Sequence, residues 1–254
     1  MSRRVRVLLG LGASVLLAVS SEAEERHPAA PGSGRVVVVP VNLAVRAAPE
    51  VEPGIEPVWR ALLDFFASEG QPPIALDHAD ARALWSEVMT EARKQQGAPN
   101  LYAGYAQFAR RVGEQAEFDS IVFPTLVLHS ARVAGRSASW DGVHRQVEIP
   151  GQFNESIDTY RDGKIWLTRD GGKGEIAAAS LHIAVLSPRG ELRYEGTGGL
   201  VLLQDLIVPQ KHKEKEVELT AVMRKDPFAA PDQLREGIGA AFREWPSASA
   251  SIAH

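Results

Sequence analysis

The chain has 254 residues, 44% of them hydrophobic and 24% charged, with a formal net charge of -4. That supports one large domain, or one domain with an elaboration, and the acidic balance argues against nucleic acid or an anionic membrane surface as a partner. There are no cysteines, which excludes a disulfide framework, a thiolate-ligated metal and the lipidated cysteine of a lipoprotein.

Arg3, Arg4 and Arg6 precede an apolar run over residues 7–19, and Ser21 and Ala23 are the small residues that signal peptidase reads. The run is too short for a comfortable membrane span. The expectation is a signal peptide over residues 1–23, cleavage before Glu24, and an exported product, periplasmic or secreted, with no transmembrane segment in the mature chain. Retention of the leader as an anchor is the alternative. Residues 24–35, rich in Pro, Gly and Ser, read as a linker. A single domain is expected over residues 36–245, and residues 246–254 read as a flexible tail.

Residues 36–41 are valines broken by Pro40, a strand covered on both faces. Trp59, Leu62, Leu63 and Phe66 recur at helical spacing, and Gly70 marks the stop. A short strand is expected over residues 74–76. Asp77 then caps a helix whose apolar stripe is Ala81, Leu84, Trp85, Val88, Met89 and Ala92. Asn100 caps the next helix, with Tyr105, Phe108 and Val112 on its buried side.

Residues 118–133 are the longest apolar run outside the leader and read as the central strand, apolar at both parities. Pro124 cannot donate to a ladder, so a bulge or an open edge is expected there. Beyond it the pattern changes. Residues 135–139 read as a turn, residues 140–149 as one alternating strand, residues 150–164 as a polar loop, residues 165–167 as a short strand and residues 170–174 as a second turn. Residues 176–186 and 191–196 form an antiparallel hairpin about Gly190, and Gly196, Gly198 and Gly199 imply a bulge or bend before residues 200–203. Residues 210–218 are a solvated charge run, and Leu234, Ile238, Phe242 and Trp245 stripe a last helix. The order predicts an α+β fold with a mixed sheet: a β-α-β-α-α-β front half, then an antiparallel meander and a closing C-terminal helix.

The opening valine strand, the strand beginning Phe118-Asp119-Ser120-Ile121-Val122-Phe123, and the hairpin returning from Gly190 to Gly196-Thr197-Gly198 together resemble a group of bacterial envelope domains. These are the amino-terminal domain of TolB and the curli-secretion and penicillin-binding-protein-activator proteins. The resemblance is topological, spans roughly residues 36–205, and implies a non-enzymatic protein-binding or assembly module of the envelope. It carries over no functional residue. The insertion over residues 135–174 has no counterpart in it.

The candidate site residues each have two readings. His129, His144 and His182 fall on strands and could converge on a metal, but none has a ligand spacing such as H-E-x-x-H, and scattered wet-face histidines are the plainer reading. Ser180 and His182 share a strand face, but neighbours there lie ~7 Å apart, too far for a nucleophile–base bond. Gly171–Gly174 lacks the Ser/Thr and helix of a phosphate loop. Asp141, Asp158, Asp162 and Asp170 fit turn chemistry better than a calcium loop. Trp140, Tyr160 and Trp166 lie in the insertion. Exposed, they would mark a surface for an envelope protein partner; covered, they would form a small satellite core. No cofactor motif is present. The rival functions are a metal-dependent or acid–base hydrolase acting on an envelope polymer and a carbohydrate-binding module built on Trp140 and Trp166.

Overall fold

The computed structural model describes residues 34–96, 100–147, 165–168, 171–207 and 218–245. In chain order these form β1 (Val36–Val38), α1 (Ile55–Ser68), β2 (Ile74–Ala75), α2 (His78–Gln96), α3 (Leu101–Gly113), β3 (Ser120–Gly135), β4 (Ser137–Trp140), β5 (Val143–Gln146), β6 (Ile165–Thr168), β7 (Gly171–Leu186), β8 (Leu192–Leu202), β9 (Gln204–Ile207), β10 (Glu218–Met223) and α4 (Pro231–Ala241). The expected leader, residues 24–33 of the expected linker and the expected tail fall outside the described residues. The fold is α+β with a mixed sheet: β1 runs parallel to β2 and β3, and every other pairing among the described residues is antiparallel.

The two long strands β3 and β7 are the spine. They pair without a break from Ile121 opposite Leu186 to Gly135 opposite Gly172. At 16 residues each they run on the order of 50 Å, further than one helical layer covers. Each end therefore has its own core.

At the first end the sheet order is β2-β1-β3-β7-β8. Alternation sends Val36, Val38, Val122, Leu181 and Ile183 toward α1 and α4, and Val37, Ile121, Phe123, Ala184 and Leu186 toward α2 and α3. The helices fit because their stripes match: Val58, Leu62 and Phe66 on α1, Leu234 and Ile238 on α4, Tyr105, Phe108 and Val112 on α3. At the second end β4 extends the sheet beside β3, and β6, β10 and β9 extend it beyond β7. There Ala131, Val133, Ala138, Trp140, Val143, Ile176, Leu202, Leu206 and Leu219 form a satellite core.

Pro124 introduces no bulge, since the β3–β7 register is unbroken there. Its other side faces the segment after β1. The Asn42 amide donates to the Pro124 carbonyl at 3.0 Å. The Asn42 carboxamide accepts from the Leu126 amide at 2.8 Å and donates to its carbonyl at 3.2 Å. Asn42, at φ 58, thus continues by side chain the ladder that β1 stops making.

Three further expectations are corrected. The expected turn over residues 135–139 narrows to Arg136, because β3 runs to Gly135 and β4 begins at Ser137. The alternating stretch 140–149 is not one strand: Asp141 and Gly142 form a two-residue turn with φ 37 and 77, and Trp140 pairs with Val143 across it. Both central residues at positive φ define the hairpin turn that Asp-Gly favours. Residues 171–174 are not a turn but the start of β7, where Gly171 pairs with Thr168 and Gly172 with Gly135. The sheet supplies ladder partners on both sides there, and these outweigh the turn propensity of glycine. β10 follows the charge run unannounced by any alternation in the sequence.

Candidate functional site

The core under α2 and α3 ends near Thr125, and the satellite core on the same face begins at Ala131. The face between them is polar. β3 presents Val127 and His129, β7 presents Ser180 and His182, and β8 presents Thr197 and Gly199, matched as Thr125–His182–Thr197 and Val127–Ser180–Gly199 across the strands. Tyr102 of α3 reaches one end of this band, and the tip of the β4–β5 hairpin reaches the other.

Two carboxylates organise it. Asp141 Oδ2 accepts from Ser180 Oγ at 2.5 Å and from His129 Nδ1 at 2.6 Å. Glu195 Oε1 accepts from the Tyr102 hydroxyl and from His182 Nε2, the latter at 3.1 Å. With Nε2 donating, His182 Nδ1 is left to accept from the Thr197 hydroxyl at 3.2 Å. Each carboxylate is therefore clamped by one hydroxyl and one imidazole. The bond to Glu195, together with partial burial, pushes the Tyr102 phenol up to about 12, because a carboxylate acceptor favours the protonated donor.

The connectivity limits the chemistry. A hydroxyl nucleophile needs a base, and the base in turn an orienting partner. Here the carboxylate lies between Ser180 and His129, and Ser180 is 0% exposed. The cluster works as a latch. The tip of the hairpin is fixed to the sheet by Asp141, by the Gly199 amide donating to the Asp141 carbonyl at 3.0 Å, and by Trp140 Nε1 donating to the Ala179 carbonyl at 3.2 Å. Gly199 is required beneath it, since a Cβ there would lie 2.6 Å from Trp140 Nε1.

His129 and His182 share this face but stand four residues apart in register, ~13 Å along the strands. His144 lies opposite Ser139, which lies opposite Arg132, on the other face of the sheet. The three do not converge, and among the described residues no three His, Asp, Glu or Cys side chains are placed to hold a metal. Trp140, read from sequence as an exposed aromatic or a core residue, is core: it is 6% exposed, with its indole nitrogen bonded. The backbone of Trp166 pairs with Lys173 and Glu218; its side chain, and Tyr160 as a whole, lie outside the described residues. Sequence reasoning missed Tyr102 and Glu195 altogether. It weighed Asp141 as a calcium ligand and preferred turn chemistry, yet ran one strand across it, although the Asp141-Gly142 dipeptide was the signal for the hairpin tip.

Beside this band runs an open strand edge. β8 pairs with β7 alone among the described strands. The Gly199 amide donates to the hairpin tip and so points away from β7. Period-two alternation then turns the amides and carbonyls of Thr197 and Glu195 the same way. No described residue pairs with them, and both residues are exposed. The open stretch is bounded by the hairpin tip at Gly199 and by the turn at Ser187–Glu191, where Gly190 takes φ 79.

A separate cleft of about 190 Å³ lies past the end of β1, lined by Asn42, Arg46, Glu52, His78 and Arg82 among others. It is shallow, and its charged side chains are surface residues.

No family model matches the chain, and neither a curated protein nor a solved structure matches it.

Proposed function

We propose that this chain is an exported, non-enzymatic protein of the bacterial envelope that binds or assembles with another protein through the outer edge of β8. The observation that carries the reading is the unpaired run of backbone donors and acceptors at Glu195 and Thr197, held open between two fixed ends. An extended segment added to such an edge gains main-chain hydrogen bonds, and alternate side chains set its specificity. Arg193 and Glu195 charge this edge, which discourages indiscriminate strand pairing and makes the choice of partner selective. The leader at residues 1–23 and the resemblance to envelope domains support the location.

The rival readings have less support. A hydrolase built on Ser180 would need a hydroxyl that substrate can reach, and this one is buried and bonded to Asp141. A sugar platform built on Trp140 would need an exposed indole.

The test is Thr197→Pro. Proline removes an amide that points away from β7 and so leaves the β7–β8 ladder intact. Wild-type and T197P baits are passed through envelope extract, and retained proteins are compared by mass spectrometry. A partner held by wild type and lost by a folded T197P supports the reading. Equal retention by both overturns it.

A further inference from the structure

Resting on that reading, we propose that the strand received by the β8 edge is β8 of a second copy of this chain, paired antiparallel about a two-fold axis at Tyr194. The side chains that flank Tyr194 are self-complementary. Antiparallel pairing centred there sets Arg193 opposite Glu195 of the second copy, and Glu195 opposite Arg193. Opposite charges directly across a pair stabilise it and like charges destabilise it.

The neighbouring registers fail on the same rule. Only residues whose backbone points away from β7 can bond a new strand, and with the centre at Tyr194 these are Arg193 and Glu195, since Thr197 falls opposite Glu191, whose carbonyl already accepts from the Ser187 amide. Centring on Arg193 puts arginine against arginine. Centring on Glu195 puts glutamate against glutamate. Centring further toward Gly199 runs the second copy into the hairpin tip, where the Asp141 carbonyl already occupies the edge. Arg193 is free of the β7 ladder because it is the extra residue where the register shifts between Val185 and Leu186. Its guanidinium donates to the Asp119 carbonyl at 2.9 Å through one nitrogen, which leaves other N–H groups for a carboxylate. A contact limited to one short strand is smaller than a standard interface, so the dimer is weak and dependent on concentration.

The test is a charge swap read by sedimentation velocity, with circular dichroism confirming that each variant is folded. Wild type should shift from monomer to dimer with rising concentration. R193E and E195R should each stay monomeric, because each makes the edge single-signed. Mixed in equal amounts they should form the heterodimer, since the all-acidic edge of R193E then faces the all-basic edge of E195R at both paired positions. A wild type that stays monomeric up to millimolar concentration overturns the two-fold pairing, whereas the loss of a different partner by T197P would still support edge binding. A dimer that survives both single variants, or folded variants that fail to associate when mixed, also overturns it.

Discussion

Gly198 of β8 and Gly237 of α4 touch backbone to backbone. A Cβ on Gly198 would overlap the Gly237 carbonyl oxygen, and one on Gly237 would overlap the Gly199 carbonyl and lie 2.8 Å from Leu200 Cδ2. The helix lies directly on the strand whose outer edge is the binding candidate. Gly198→Ala should therefore cost roughly 1–3 kcal/mol by overpacking, read as a shift in the midpoint of a denaturant melt. Gly237→Ala should also destabilise, although alanine gains about 1 kcal/mol of helix propensity over glycine, because the clash is with backbone.

The hairpin latch makes a second prediction. Asp141→Ala strands the buried Ser180 hydroxyl, a loss of about 1–3 kcal/mol. The loss should be local, with the fluorescence of Trp140 shifting to the red as the tip lifts from Ala179, while the helix-covered end keeps its circular dichroism. An unchanged midpoint and emission would mean that the tip is held by packing alone.

Tyr102 supplies a pH dependence. Its folded pKa, about 12, lies above the unfolded value of 10.0, chiefly because the phenol donates to Glu195. A raised pKa contributes stability in full below pH 10 and loses it as pH rises through about 12. Stability measured by denaturant at about pH 9 and about pH 11.5, on either side of the unfolded value, should fall more for wild type than for Tyr102→Phe. Burial raises Tyr105 and Tyr194 as well, so the test is the difference between the two proteins. Equal falls would remove the Tyr102–Glu195 bond from the account.

Trp85 shows how partial burial sets the cost of truncation. It sits mid-stripe on α2 and packs against Tyr105 and Phe108 at centroid distances of 5.6 and 6.1 Å. Gly104 of α3 makes room for its ring. Yet Trp85 is only partly buried, so Trp85→Ala should cost ~2–3 kcal/mol, below the ~3–5 of a fully buried aromatic. A chemical melt of the variant checks it, and a cost under ~1 kcal/mol would mean that the stripe is not packed.

The helices were legible because each stripe reports a 3.6-residue period within one element. β1 and β3 were legible because both parities are apolar, and β7 was legible from residue 176 onward because Leu181, Ile183 and Val185 alternate on one apolar face. The polar band was not legible, because its members meet only through register. Asp141 reaches Ser180 across 39 positions, and Tyr102 reaches Glu195 across 93. The sequence spacing of Ser180 and His182 correctly forbade a bond between them, and the structure sends each to a different carboxylate. The hairpin tip was missed because the alternation of Val143, Val147 and Ile149 was carried back to Trp140 across the Asp-Gly pair, although Trp140 has the opposite parity.

The central claim is that the outer edge of β8 receives a strand, and amide hydrogen exchange tests it most directly. In dilute protein the Glu195 and Thr197 amides should exchange fast, while those of Tyr194 and Gly196, which face β7, stay protected. On concentration Glu195 should become protected together with Arg193, and on addition of a captured partner that spans the edge Glu195 and Thr197 should become protected together. Protection already present at high dilution, or no gain on association, would contradict the account.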